Sequence, residues 1–413
     1  MYASTAEEFW LILILKNKPS IRQQFFDHLG QTSPSPLGLE IQKAEGVFLL
    51  STSGKRYIDL ISGVSVSNVG HARKEVIQAI ADQAANHLHL MVYGEIIQQP
   101  QVLLATLLTE LLPAPLNSVY FVNSGSEANE AALKLAKRIT GRHKIACFRN
   151  AYHGSTHGAL SVMGNETYRR SFRPLLPGVT EMRFNNLSDL ELIDRGTACV
   201  IAEPIQAEAG VRLPDQGFLE SLRKRCNDTG TLLIFDEVQT GFGRTGSLFA
   251  MQKYGVTPDM VTLAKALGGG MPLGALICNR ESMEAWKSDP VLGHITTFGG
   301  HPVSCAAGFA ALQVLLREGW TGQVQEKSAF LKEALTTHPA VEEIRGAGLL
   351  LAVELGSAQK VQDMIRLLLE EGAMADWFLY YDTAFRIAPP LCINREELNL
   401  TAAIVTRALD KLK

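Results

Sequence analysis

Between Val119 and Asn279, short apolar runs at Val119–Val122, Ile145–Phe148, Ala198–Ala202, Leu232–Phe235, Met260–Ala264 and Gly274–Cys278 alternate with longer stretches of helical pattern. That alternation predicts an α/β domain built on a mostly parallel sheet. Such sheets present their ligand sites at the carboxyl ends of the strands. Asn123, Glu203, Asp236 and Lys265 each follow one of these apolar runs directly. Any one of them alone can merely end a strand or cap a helix; several in register argue against coincidence.

The pairing of Asp236 with Lys265 carries the chemistry. Pyridoxal phosphate needs an amine to hold its aldehyde as a Schiff base and a carboxylate near its pyridine nitrogen to keep that nitrogen protonated. The stretches Leu232-Leu-Ile-Phe-Asp236-Glu-Val-Gln239 and Leu263-Ala-Lys265-Ala-Leu-Gly-Gly-Gly270 supply both. Beside them stand Phe121-Val-Asn-Ser-Gly-Ser-Glu-Ala-Asn129, Ala151-Tyr-His-Gly154, Glu203-Pro-Ile-Gln-Ala-Glu208 and Thr297-Phe-Gly-Gly-His-Pro302. With these motifs the chain resembles, from about Ser33 to its C-terminus, the class III aminotransferases of the ornithine, acetylornithine and 4-aminobutyrate type. The resemblance implies fold type I: a large domain with a mostly parallel seven-stranded sheet, plus a smaller α+β domain. The corresponding division is 1–60 for an N-terminal segment and small hairpin belonging to the small domain, 61–310 for the cofactor-binding domain, and 311–413 for the rest of the small domain.

Several residues acquire roles on that resemblance. Ser124-Gly125-Ser126 precedes a helical stretch, Glu127–Ile139, so its amides and hydroxyl can converge on an anion at a helix N-terminus. A turn that only caps the helix has the same sequence; the family match favours the cofactor phosphate. Tyr152 matches the aromatic that stacks on the pyridine face. Gln239 matches the residue that hydrogen-bonds the phenolic oxygen, and Glu203 joins the cofactor set. Thr297 matches a threonine that reaches the phosphate of the neighbouring subunit, which implies a homodimer with shared active sites. His153 and His157 are spaced i, i+4, but the acid of an HExxH is absent and no metal site is expected.

The substrate side is less uniform. Phe385-Arg386-Ile-Ala-Pro-Pro-Leu391 resembles the family element whose arginine grips an α-carboxylate, in the bidentate manner a guanidinium favours. Glu208 matches the acid that pairs with that arginine when the bound amine end has no carboxylate, so Arg386 and Glu208 form either a substrate switch or an ordinary salt bridge. The chain departs from the family at three positions. Ser155 stands where members using glutamate often carry arginine, Val64 where ornithine aminotransferases have tyrosine, and Ala207 where the family has glycine. Tyr93, in Met91-Val-Tyr-Gly-Glu95, is the nearest polar aromatic for the amine pocket.

These parts predict a transaminase moving an amino group from an ω-amino acid or related amine to 2-oxoglutarate or pyruvate, with ping-pong kinetics. An aminomutase or racemase of the same fold, or a non-catalytic scaffold, are the alternatives. Bulk properties fit a soluble cytoplasmic enzyme without a nucleic-acid or membrane partner: the net charge is -3, and the six cysteines lack CxxC spacing and fall mostly in apolar runs. The apolar run Phe9–Leu15 lacks basic flanks and is too short to span a bilayer, so it reads as an extension. Elsewhere, Val47–Leu50 and Tyr57–Leu60 flank turn residues as a hairpin, and a long helical stretch follows Ser304. Val341–Leu355 and Phe385–Ile387 are strand candidates before a final helix near Arg395–Leu412.

Overall fold

The computed structural model describes residues 19–413, and the apolar run at 9–15 lies outside them. In chain order the strands are β1 (Ile41–Glu45), β2 (Phe48–Ser51), β3 (Arg56–Asp59), β4 (Ser118–Val122), β5 (Lys144–Phe148), β6 (Val179–Met182), β7 (Thr197–Ala202) and β8 (Leu232–Asp236). They continue with β9 (Met260–Leu263), β10 (Gly274–Cys278), β11 (Glu343–Ala347), β12 (Leu350–Glu354), β13 (Ala373–Met374), β14 (Asp376–Phe378) and β15 (Tyr381–Ile387).

Seven of them form the central sheet in the order β4-β10-β9-β8-β7-β5-β6. Strand β10 runs antiparallel to both its neighbours, and the remaining pairs are parallel. Two antiparallel steps cancel, so β4 points the same way as β9. The carboxyl ends of β4, β5, β7, β8 and β9 therefore share one edge, where Asn123, Tyr152, Glu203, Asp236 and Lys265 lie. Strands β7 and β10 are buried along their whole length, which is why they read as unbroken apolar runs rather than as alternations. All six apolar runs are strands. The seventh, β6, carries Thr180 and Glu181 and gave no comparable apolar signal.

The hairpin is β2 and β3, each displaced by one residue from its sequence boundaries, and β1 joins it as a third strand. The two-residue β13, from far along the chain, completes this sheet in parallel with β3. A third, all-antiparallel sheet has the order β11-β12-β15-β14. Its register sets Asp376 opposite Arg386. Helices Pro302–Glu318 and Trp320–Thr336 occupy the stretch after Ser304, and the final helix is Arg395–Asp410. No helix among the described residues is long and apolar enough to cross a membrane.

Candidate active site

The helix Gly125–Thr140 begins immediately after β4 and ends on Gly141, whose φ of 65° suits a left-handed cap. Its inward face is built of Ala128, Ala131, Ala132 and Ala136, small enough to lie close over the sheet. Ser124 is the N-cap, its Oγ accepting the Glu127 N–H at 3.2 Å. Ser124 O takes the N–H of Ala128 at 3.0 Å, so the Gly125 and Ser126 amides remain at the mouth of the helix without intrahelical partners. They line a cavity of about 720 Å³ together with Ser124, Tyr152, Glu203, Asp236, Gln239 and Lys265. Capping and an anion-binding N-terminus thus coexist. The Ser126 hydroxyl is held elsewhere, however: it accepts the Thr156 N–H at 3.1 Å and meets Thr156 Oγ1 at 2.7 Å.

Asp236 ends β8 and is almost fully buried. Its Oδ2 accepts from Asn129 Nδ2 and is paired with His153 Nδ1, both at 2.8 Å, and its Oδ1 accepts the Val238 N–H at 3.0 Å. Thr262 Oγ1 donates to Asn129 Oδ1 at 2.7 Å, which turns the Asn129 amino group toward the carboxylate. Neither Asn129 nor His153 has a role in the sequence reading. The signal for Asn129 was its place one turn into a helix whose neighbours are alanines. His153 was weighed only as a metal ligand with His157, yet His157 Nε2 bonds the Pro174 carbonyl at 2.8 Å and the two serve separate partners.

Lys265 follows β9 with φ at +50°, a left-handed conformation that costs a non-glycine residue free energy and tends to occur at functional sites. Its Nζ donates to Gln239 Oε1 at 2.9 Å. Burial lowers the Lys265 pKa; Glu208, Asp236 and Glu203 pull the other way and the Arg386 charge adds to the lowering. Glu203 accepts the Tyr152 N–H at 3.0 Å and the Ala207 N–H at 3.3 Å. Its pKa is raised well above the ordinary value, first by burial and then by the Asp236 charge.

The residues fit pyridoxal phosphate. Gln239 Nε2 is a buried donor with no partner among the described residues, beside the lysine amine. Asp236 supplies an acceptor for a protonated ring nitrogen. The two unpartnered amides at Gly125 and Ser126 supply the end that binds phosphate. Close backbone approach holds this cradle: a Cβ on Gly154 would lie 2.3 Å from Ser126 Oγ, and one on Gly125 would lie 2.9 Å from Val238 Cγ1.

The remaining sequence candidates fall into two groups. Glu208 and Arg386 meet in a buried pair, with both Glu208 oxygens on Arg386 Nη2 at 2.8 and 3.0 Å, and the Leu379 N–H also donates to Glu208 Oε2 at 3.1 Å. Thr297 is exposed and Tyr93 is half-buried, and neither they nor Glu208 and Arg386 line the cavity. Val64 does not line it either; Val66 does. Val64, at φ 62°, lies in a run of left-handed residues from Ser62 to Ser65. Asp59 Oδ1 accepts the N–H groups of Ile61 and Ser62 at 2.8 Å each at the start of this run. Ser155 is at the cavity wall, 3.4 Å from the Tyr152 hydroxyl.

The chain is similar to known proteins along most of its length. The family model for aminotransferase class-III matches residues 30–409. An acetylornithine aminotransferase of Methanopyrus kandleri is 38% identical over 391 residues, covering 94% of this chain and 98% of that protein. A [LysW]-aminoadipate semialdehyde/glutamate semialdehyde transaminase of Sulfurisphaera tokodaii is 40% identical over 324 residues, 77% of this chain and 82% of its own. Among solved structures, the ornithine aminotransferase of Toxoplasma gondii superposes with a TM-score of 0.87 at 29% identity, covering 96% of this chain and 97% of that one. An ω-transaminase of Pseudomonas jessenii in complex with PMP gives 0.88 at 26% identity, over 95% and 98%.

Proposed function

The chain belongs to the class III aminotransferases, with pyridoxal phosphate as its cofactor and an amine donor and a 2-oxo acid acceptor as its substrates, and we propose that the donor is an ω-amino acid or related amine and the acceptor 2-oxoglutarate or pyruvate. Acetylornithine-like, 4-aminobutyrate-like and lysine-like donors all present a reacting amine on a carbon without a carboxylate. The observation that carries this reading is the buried Arg386–Glu208 pair: with Glu208 seated on Nη2, the arginine is masked for a donor of that kind. For an oxo acid, withdrawal of Glu208 exposes a guanidinium suited to an α-carboxylate.

The cofactor, when bound, carries the amino group between the two substrates and accepts the electron pair left at the deprotonated carbon. Lys265 Nζ would hold it, and the free amine would take the proton from the amine-bearing carbon of the substrate. Its lowered pKa favours the neutral amine, the form able to act as a base. Asp236 would hold the ring nitrogen protonated, with Asn129, His153 and Val238 keeping the carboxylate in place. The Gly125 and Ser126 amides would receive the phosphate, Gln239 Nε2 the phenolic oxygen, and the Tyr152 ring would lie against the pyridine. The kinetics are ping-pong, because the donor product leaves before the oxo acid enters the same pocket.

We place the active unit as a homodimer. Thr297 sits exposed beside Phe298, 53% exposed, and Ile97 is 93% exposed, exposed apolar side chains of the kind a second subunit covers. Thr297 would then complete the partner's phosphate site, and Tyr93 would contribute to the amine pocket.

Single-turnover measurements on the purified enzyme, followed by cofactor absorbance over a panel of donors and acceptors, test the substrate assignment. Arg386→Ala should weaken the oxo-acid half-reaction by about 2–5 kcal/mol and the ω-amine half less. Glu208→Ala should do the reverse. Equal losses in both halves for both variants would mean that the pair only holds the fold.

A further inference from the structure

Arg386 faces a second carboxylate. The β14–β15 register sets Asp376 opposite Arg386, and Asp376 Oδ1 lies 3.4 Å from Arg386 Nε. Glu208 occupies a different nitrogen, Nη2. The Nε contact has the distance of an ion pair without the geometry of a hydrogen bond: Arg386 Nε, Arg386 Nη1 and Asp376 Oδ1 are all buried and have no hydrogen-bond partner among the described residues. The guanidinium carbon sits 4.7 Å from the centroid of the Phe378 ring. One buried cation is therefore shared between two acids, with Nη1 as a donor that neither uses.

The two acids are held differently. Asp376 lies in a strand paired with β15, in a ladder with an irregularity between Trp377 and Phe378, and its side chain has few torsions. Glu208 follows β7 outside any strand and has a longer side chain, anchored by the Leu379 N–H and the arginine. When one acid must yield to an incoming carboxylate, Glu208 is the one free to move.

We propose that Asp376 is a positioning residue: a fixed counter-charge that holds Arg386 by its Nε edge and tempers its attraction for the oxo-acid carboxylate while Glu208 exchanges at the Nη edge. This rests on Arg386 being the carboxylate site of the acceptor half-reaction. Without Asp376, an unmasked guanidinium buried among apolar residues would bind an α-carboxylate tightly and disfavour donors that lack one. With it, the guanidinium keeps one carboxylate beside it when Glu208 withdraws, so the incoming carboxylate meets a cation already partly offset, and one pocket can serve two substrates of different charge.

The test uses Asp376→Asn in the holoenzyme, with 2-oxoglutarate and pyruvate as acceptors and 4-aminobutyrate and acetylornithine as donors. The apparent Kd for the oxo acid should fall by roughly fivefold and that for the donor should rise, with limiting rates in both halves little changed. Asp376→Glu, which keeps the charge, should return both constants toward wild type. Equal shifts in both halves, or an unchanged oxo-acid affinity while Arg386→Lys damages that half, would overturn the role of Asp376. An oxo-acid half left intact by Arg386→Lys would instead overturn the assignment of Arg386 itself. If Asp376→Asn does not fold, Asp376→Ser is read in its place against the same outcomes.

Discussion

Lys265 Nζ donates to Gln239 Oε1 at 2.9 Å, and the same bond leaves Gln239 Nε2 buried without a partner among the described residues. An unsatisfied buried donor costs about 1–3 kcal/mol, so this arrangement is stable chiefly with an acceptor in the cavity. Glutamine and lysine together therefore describe a site shaped for a bound group rather than for itself.

Replacing the lysine separates holding from chemistry. Lys265→Ala should abolish turnover while the protein folds and retains cofactor through the Gly125 and Ser126 amides, Asp236 and Gln239. Borohydride reduction of the wild-type holoenzyme followed by peptide mapping should label Lys265. A label on any other lysine would defeat the assignment.

The environment of Asp236 makes its charge hard to replace. Three donors converge on it, from Asn129, His153 and Val238, and an amide in its place would turn an N–H against one of them while losing the charge that keeps the pyridine nitrogen protonated. Asp236→Asn should lower the rate by at least ~10²-fold, close to the loss in Asp236→Ala. Near-normal turnover in Asp236→Asn, with normal cofactor content, would show that the ring nitrogen is paired elsewhere.

Substrate preference should respond to pH through Asp376. Burial, opposed by the Arg386 charge and helped by the charges of Glu208 and Asp59, raises its carboxyl to about 6. As pH falls through that value the carboxyl takes a proton and the counter-charge on Arg386 is lost, so oxo-acid affinity should rise on acidification in the wild type and stay flat in Asp376→Asn. Stability follows the sign of a raised acid: the contribution is fully present below the ordinary carboxylate pKa and is lost as pH rises through about 6. Oxo-acid titrations and thermal melts of both proteins between pH 5 and 8 check this, and parallel pH profiles for the two would remove Asp376 as the source.

The strand pattern and the placement of Asn123, Glu203, Asp236 and Lys265 were legible in the chain. Burial on both faces leaves a continuous apolar run in the sequence, and a parallel sheet brings the residues that follow such runs to one edge. The pairing of Glu208 with Arg386 was legible only through the family motif, since 178 residues separate them. Only the tertiary structure decided what surrounds these groups. Asn129 and His153 meet Asp236 because a helix of small residues lies close over the sheet, and nothing local in their own segments marks that contact. The four left-handed residues from Ser62 to Ser65, beside Val66 at the cavity wall, follow a path that L-residues rarely adopt and sequence preference does not predict. Asp376 reaches Arg386 through the register of a three-residue strand, and register is set by packing between segments, not by the segment itself.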